Sequence, residues 1–406
     1  MNGRVVILGA GQAGGSAAAL LRQHGYQGSV TLVGEEFEPP YQRPPLSKAW
    51  LKGQVSAGDL YMKPVSFYAD KQIDLRLGRR ALQVDPQQKR VHFDDDSYLE
   101  FDHLILACGA RARHLSNVDT SLKGVHYLRS MAHASSLKET LASSRHLVIV
   151  GGGFIGLEVA ASARALGVEV TVLEREPRLL SRLASQTVSS YLFELHRSQE
   201  VRILQNVELA AIEGSGTVQA VILSDGQRLE CDTVLIGIGS IPNAELAQQS
   251  GLHCDQGVIV DDSALSSNPA VSAIGDMTRR PAIGAGSALV RLESVPSSLE
   301  QARQVALRLC GKPAAAQELP WFWSDQYSTK LQMAGLTIGS TRTVVRGNIQ
   351  EGRFSVFHFA ATTLVAAECI NSPRDFMVAR KAIVAAPEVD IEALESSQET
   401  LETVLA

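Results

Sequence analysis

The sequence predicts an α/β protein with two parallel βαβ units of the nucleotide-holding kind, followed by a smaller α+β domain. Three observations carry this. Two segments far apart in the chain repeat one pattern of buried strand, tight glycine turn, Ala-rich helix and second buried strand. Each pattern reaches an acidic residue about 20 positions after its glycines. Beyond residue 318 short alternating strands dominate, before one last helix.

In the first unit residues 4–8 (Arg-Val-Val-Ile-Leu) form the strand and Gly9-Ala-Gly11-Gln-Ala-Gly14 the turn. A helix runs to about Gln23, and residues 29–33 make the second strand, ending at Glu35. The second unit repeats this with residues 146–150, Gly151-Gly-Gly153-Phe-Ile-Gly156, a helix to Leu166, and residues 168–173 ending at Glu174. Between the units lie strand-like residues 90–93 and 104–108, with an acidic turn at Asp94-Asp-Asp96. After the second unit come strands at 220–223 and 233–238, the latter closing at Gly239. A strand at 257–260 then leads to Ala273-Ile-Gly-Asp276. Residues 299–309 read as a helix stopped by Gly311 and Pro313. The last domain alternates at 331–336, 342–345, 354–359 and 363–370, with a helix from about Arg374. Its last fifteen or so residues, rich in Glu and without aromatics, read as a loosely held tail.

A glycine turn of this spacing has a mechanical purpose. The first glycine makes the turn, the second lets a pyrophosphate approach the backbone, and the third lets helix and strand pack closely. The helix N-terminus then offers free N–H groups and a positive dipole end to the phosphates. Glu35 and Glu174 fit the acid that accepts from ribose hydroxyls. One such pattern alone also describes a turn that binds nothing; two, each with strand, helix and acid in place, point to two dinucleotides. A nicotinamide passes single electrons poorly, whereas a flavin takes a hydride and releases electrons singly, so FAD with NAD is the pair expected. Spacing does not fix their order. Glu174 favours NADH over NADPH because a carboxylate repels a 2′-phosphate, a preference tempered by nearby Arg175 and Arg178.

Composition narrows the class. The 406 residues exceed one ordinary core, and 45% hydrophobic with 20% charged is ordinary for a soluble chain. A net charge of -5 argues against nucleic acid as a chain-wide partner. No apolar run reaches 18 residues, so neither a membrane span nor a signal peptide is expected. Five scattered cysteines without Cys-x-x-Cys or metal-finger spacing suggest free thiols, a reducing cytoplasm and no metal site.

Several motifs are more specific. Tyr41-Gln-Arg-Pro-Pro-Leu-Ser-Lys48-Ala-Trp-Leu51 resembles the signature after the first unit of the ferredoxin reductases of bacterial oxygenase systems, which share the glutathione-reductase fold. His126-Tyr-Leu-Arg129, residues 151–158, Gly237-Ile-Gly-Ser-Ile-Pro-Asn243, residues 273–276, Arg291-Leu-Glu-Ser-Val-Pro296 with Leu299-Glu-Gln-Ala-Arg303, and Trp321-Phe-Trp-Ser-Asp-Gln-Tyr327 agree with it. The resemblance runs to about Arg380. One departure is visible: Ala107-Cys108-Gly109 stands where the family commonly has Ala-Thr-Gly. Cys108 reads as a small buried residue, not a redox centre.

The resemblance implies a discontinuous FAD-binding domain (1–115 and 241–317), a NAD-binding domain (116–240) and a C-terminal interface domain (318–406). FAD would meet Gly9, Gly11, Ala13 and Gly14 at its pyrophosphate and Glu35 at its adenosine ribose. Arg43 and Lys48 would hold the flavin side, with Lys48 near N5. Ala81, Arg129, Asp276 at the ribityl chain and Val295 by the isoalloxazine complete that site. NADH would meet Gly153, Ile155, Gly156, Glu174 and Gly239, with Glu158 and Glu293 orienting the nicotinamide amide. Lys48 and Glu158 would act catalytically as a cation–carboxylate pair; taken alone, they read as a surface lysine and a helix N-terminal carboxylate. Trp321 and Trp323 read equally as core aromatics or as residues of which one shields the isoalloxazine face or borders the partner's docking site. Arg303, Lys330, Arg342 and Arg346 each read singly as an ordinary solvated charge, and together as a cationic patch for an acidic ferredoxin.

The activity implied is NADH:ferredoxin oxidoreduction, with a [2Fe–2S] ferredoxin feeding a cytochrome P450 or a ring-hydroxylating dioxygenase, in a monomer or weak homodimer. A disulfide, peroxide or NADH-oxidase enzyme of this fold needs a cysteine soon after the first unit, and residues 36–60 contain none. An apoptosis-inducing-factor-like flavoprotein, sensing NADH with slow turnover, is the alternative.

Overall fold

The computed structural model describes residues 3–116, 118–396 and Leu401. It forms two compact units: Met1–Gln42, Ala57–Arg111 and Ile241–Phe322 in one, and Arg43–Ser56, Ala112–Ser240 and Trp323–Ala406 in the other.

The first unit holds a parallel five-stranded sheet in the order Val271–Ala273, His103–Leu106, Val5–Leu8, Val30–Val33, Ile73–Arg76. Its central strand is apolar at every position because both faces are covered. Val5 and Ile7 enter one core with Ala17 and Leu21 of the helix Gln12–Gln23 and Val305 of the helix Val295–Leu309. Val6 and Leu8 enter another with Phe93, Phe101 and Met277. Opposite faces thus serve two separate cores.

The second unit carries three sheets. One is parallel, ordered Val201–Gln205, Glu169–Glu174, His146–Val150, Thr233–Ile236, Val125–Tyr127. Val148 and Val150 face a core shared with the antiparallel strands Leu209–Gly214, Val218–Leu223 and Arg228–Glu230. The C-terminal sheet runs Trp321–Gln326, Thr329–Gly335, Thr363–Ile370, Arg353–Ala360, Arg342–Asn348, with the helix Pro373–Ala385 packed on it. Buried Glu368 on a middle strand accepts from the backbone N–H of Ser185 at 2.9 Å, just where the helix Gln186–Ser198 begins.

Several elements differ from the sequence reading. The helix expected at 299 starts at Val295, because Ser294 accepts from Ser297 N–H and Pro296 occupies the first turn. The helices Met131–Leu141 and Gln186–Ser198 escaped notice, although Ser130 and Ser185 cap them in the same way. In the Glu-rich end a helix forms at Ile391–Ser396; residues 397–400 and 402–406 of the expected tail lie outside the described residues. Among the described residues no helix is long and apolar enough to cross a membrane.

Candidate functional site

Both glycine turns are built as cradles. Gly9 and Gly151 have φ of +112° and +108°, and a Cβ on either would lie 2.1 and 2.4 Å from the carbonyl oxygens of Ala107 and Gly237. At the third glycine of each turn the clash is with the turn itself: a Cβ on Gly14 or Gly156 would lie 1.9 or 2.5 Å from the oxygen of Gly9 or Gly151. In front of Gly153, by contrast, a Cβ would meet nothing within 4 Å.

The helices behind these turns lack a cap that three other long helices have. Gly11 and Gly153 are their N-caps, with no side-chain cap and no acid in the first turn. The helices Met131–Leu141, Gln186–Ser198 and Val295–Leu309 all have a serine oxygen there. Uncapped helix N-termini beside a close-approach glycine leave N–H groups and a positive dipole for an external anion. The buried Oε1 of Gln12, beside the first turn, also lacks a protein donor. Pyrophosphates with donor-bearing sugars suit both cradles.

The acids behind the two turns are placed differently. Glu35 is exposed, its Oε1 3.7 Å from Arg80 Nε. Glu174 turns back on its own cradle, accepting from Gly152 N–H at 2.7 Å and Glu176 N–H at 2.8 Å. Ala13 is buried at 6% exposure against Gly275. Asp276 sits in the turn Gly275–Met277, which Gln301 pins by accepting from Gly275 N–H and Thr278 Oγ1. Val295 opens its helix, and Ala81 opens the strand Ala81–Asp85. Glu293 pairs with Arg291 in the first unit.

In the second unit the signature segment and the second glycine helix come together. Lys48 Nζ lies 2.5 Å from Glu158 Oε2, which also accepts from Ser47 Oγ at 2.5 Å; Ser324 Oγ donates to Glu158 Oε1 at 2.7 Å. Ser162 Oγ, one turn along the helix Phe154–Ala165, donates to the carbonyl of Ser47 at 2.7 Å and ties the two segments. Glu158 is 6% exposed, so its charge depends on these three donors. Arg43 Nη1 donates to the carbonyl of Arg129 at 2.6 Å, joining two further predicted residues. Ile155 is exposed beside the turn, and Gly239, at φ +104°, accepts from Arg113 N–H.

The basic residues expected to form a patch have acidic neighbours: Arg303 with Glu318 at 2.7 Å, Lys330 with Asp325 at 2.8 Å and Arg342 with Glu395 at 2.9 Å. Arg303 belongs to the first unit; Lys330, Arg342, Arg346 and Trp323 belong to the second, Trp323 half-buried on the strand Trp321–Gln326. Burial pushes the Cys108 thiol up to about 12, and its Sγ donates weakly to Leu8 O at 3.6 Å. All five cysteines are free.

Comparison with known proteins settles what kind of molecule carries these cradles. Residues 3–304 match the pyridine nucleotide-disulphide oxidoreductase family, and residues 321–405 match the reductase C-terminal family. The chain belongs to the pyridine nucleotide-disulphide oxidoreductases. Rhodocoxin reductase of Rhodococcus erythropolis is 44% identical over 93% of this chain and 88% of its own length. The putidaredoxin reductase in a covalent complex with putidaredoxin superposes with a TM-score of 0.96 at 36% identity, covering 100% of this chain and 98% of that one. The ferredoxin reductase of the CYP199A2 system of Rhodopseudomonas palustris gives 0.95 at 39% identity, covering 100% of both. This oxidoreductase therefore uses FAD and NAD(H) on a two-cradle α/β fold with a C-terminal reductase domain.

Sequence reasoning passed over Ser47, Ser324, Ser162 and Gln301. Ser47, Ser324 and Gln301 lie inside the family's motifs, but nothing in a sequence says that a serine hydroxyl will meet a carboxylate more than a hundred positions away.

Proposed function

We propose that the protein is an NADH:ferredoxin oxidoreductase that delivers single electrons to a [2Fe–2S] ferredoxin, itself the donor to a cytochrome P450 or a ring-hydroxylating dioxygenase. The observation that carries this is the pair of uncapped glycine cradles with the Lys48–Glu158 pair set behind the second. The named acceptors of rhodocoxin reductase and of putidaredoxin reductase support the choice of a ferredoxin. When bound, FAD accepts a hydride and gives up its electrons singly, which links a two-electron donor to a one-electron acceptor.

The chain's own residues bind, align and stabilise. Gly9, Gly11, Ala13 and Gly14 hold the FAD pyrophosphate and Glu35 its ribose; Ala81, Arg129, Asp276 and Val295 line the same cofactor. Arg43 and Lys48 hold its flavin end, where a cation stabilises negative charge gained on reduction. Glu158 keeps the Lys48 ammonium from swinging into solvent, because its other contacts fix the carboxylate. Gly153, Ile155, Gly156, Glu174 and Gly239 hold NADH, with Glu158 and Glu293 at the nicotinamide amide. No general base or covalent nucleophile is required, since hydride and electron transfer need alignment and electrostatics. Residues 1–115 with 241–317, 116–240 and 318–406 are the FAD, NAD and interface domains of this reading. Trp323, Arg303 and Lys330 border the ferredoxin, and the enzyme works in the cytoplasm as a monomer or weak homodimer.

Rapid mixing tests the proposal. NADH should bleach the flavin promptly without oxygen, and an added [2Fe–2S] ferredoxin should restore its colour within turnover time. A flavin that NADH does not reduce defeats the reading. A long-lived charge-transfer complex with poor ferredoxin turnover would favour a sensor. Lys48→Ala should slow reduction and shift the flavin potential; an unaltered potential would remove Lys48 from the site.

A further inference from the structure

Glu158 is the end of a line. Ser324 Oγ, 2.7 Å from Glu158 Oε1, is itself 3.2 Å from Gln326 Nε2. Gln326 Oε1 lies 2.9 Å from His196 Nε2, and His196 Nδ1 lies 3.1 Å from the Tyr327 hydroxyl. Ser324, Gln326 and His196 are 1%, 2% and 0% exposed. Every link lies within the second unit.

The carboxylate fixes the direction of the whole line. An ionised Glu158 can only accept, so Ser324 donates to it and turns a lone pair toward Gln326. Gln326 must then offer its NH₂ to Ser324, which leaves its carbonyl facing His196. His196 therefore carries its proton on Nε2, and its bare Nδ1 accepts from Tyr327. Each group donates toward Glu158, so their dipoles add instead of cancelling. Loss of water around His196 lowers it to about 4, consistent with the neutral ring this order requires.

A second feature points the same way. Tyr327 sits in the two-residue turn between the strands Trp321–Gln326 and Thr329–Gly335 with φ +55°. Asn, Asp and Gly are the residues that take this conformation easily; a bulky tyrosine is strained there and persists only where its surroundings hold it. Its ring packs on His196 at 5.1 Å between centroids, and its hydroxyl ends the line.

We propose that Ser324, Gln326, His196 and Tyr327 are positioning residues for the Lys48–Glu158 pair: a one-directional relay of hydrogen-bond donors that fixes the Glu158 carboxylate and, through it, the Lys48 ammonium. This rests on the reading of that pair as acting at the flavin. An amide cannot readily hand a proton along, so the line orients and polarises instead of conducting protons.

Two measurements on the holoenzyme test it. ¹⁵N NMR of histidine-labelled protein should show His196 protonated on Nε2; protonation on Nδ1 alone reverses the line and overturns the proposal without reference to activity. Ser324→Ala, Gln326→Leu and His196→Phe should each slow flavin reduction by NADH roughly tenfold, the effect of about 1.4 kcal/mol, and shift the flavin potential. His196→Gln, whose amide can still donate to Gln326, should recover most of the loss. Ser324→Ala removes only a hydroxyl and keeps the test open if a larger change prevents folding. Parental rate and potential in Ser324→Ala and Gln326→Leu, beside an altered Glu158→Gln, would sink the relay and leave the Lys48–Glu158 reading intact. A parental Glu158→Gln would sink that reading, and the relay with it.

Discussion

The two glycine turns share one spacing and one strand–turn–helix frame, yet their acids behave differently. Among the described residues Glu35, 72% exposed, pairs only with Arg80. Glu174 is half-buried and bonded to two backbone amides, one of them inside the cradle it serves. On the proposed reading the second acid is set before its ligand arrives, while the first is ordered on binding, at a cost in side-chain entropy. A motif fixes the phosphate geometry; the neighbouring amides decide how ready its acid is.

The largest effects should come from the turns themselves. Gly9→Ala and Gly151→Ala both force a Cβ against a carbonyl oxygen at positive φ, a conflict worth on the order of 4 kcal/mol or more if the backbone holds. Gly9→Ala should purify without yellow colour. Gly151→Ala should stay yellow but be reduced by NADH roughly a hundredfold more slowly, a loss of about 2.7 kcal/mol. The opposite outcome, a yellow Gly9→Ala and a colourless Gly151→Ala, would exchange the cofactors between the units.

Each unit also contains a buried ion pair. Arg280 and Glu300 in the first are 2% and 3% exposed at their side chains, whereas Lys48 in the second is 18% exposed beside Glu158 at 7%. Glu300→Gln strands a guanidinium with no water to reach and should lower unfolding stability by about 3–5 kcal/mol in denaturant titrations. Glu158→Gln should cost less stability, because partial hydration relieves Lys48, but should slow flavin reduction. Equal losses of stability would break the contrast.

The strands and cradles were legible because their signals are local. Residues 5–8 and 147–150 are continuous apolar runs, each followed at once by its glycines. Helix starts at Ser130, Ser185 and Ser294 carried a readable cap signal that weak apolar spacing obscured. The buried pair Arg280–Glu300, the line from Tyr327 to Glu158 and the Glu368 contact with Ser185 were not legible. They join residues brought together only by the fold, and polar side chains read as solvated until packing places them inside. The acidic neighbours of Arg303, Lys330 and Arg342 escaped for the same reason, although Asp325 lies only five positions from Lys330.

A pH contrast follows from one buried histidine in each unit. His103, lowered to about 3 by burial and then by Arg308, and His196, lowered to about 4 by burial, are neutral in the folded chain where the unfolded chain binds protons. Between those values and about 6.5 the unfolded state holds more protons, so stability rises with pH and is lost as pH falls through that window. His196 alone should account for about 3 kcal/mol between pH 6.5 and pH 4. Denaturant titrations of His196→Gln should show a flatter dependence over that range; a slope matching the parent would show that His196 takes up its proton in the folded state.

The smallest effects should separate the two acids. On the proposed reading Glu174→Ala removes a ribose acceptor, and it also removes the partner of the Gly152 and Glu176 amides, so it acts on the ligand and on the cradle together. Charged hydrogen bonds of this kind are worth about 1.5–3 kcal/mol each, so NADH affinity should fall at least tenfold with a measurable drop in melting temperature. Among the described residues Glu35 accepts from no backbone amide, so the FAD-free Glu35→Ala protein should melt as the parent does and only FAD affinity should fall. Glu174→Gln sharpens the comparison, because its one carboxamide oxygen can still accept from Gly152 N–H while the Glu176 N–H loses its acceptor and the charge is gone. Its cradle should stay intact and its preference for NADH over NADPH should narrow, since no carboxylate remains to repel a 2′-phosphate. Titration of each variant with both nucleotides distinguishes these cases: an unchanged preference in Glu174→Gln would mean that Arg175 or Arg178, not the acid, sets the choice of nucleotide.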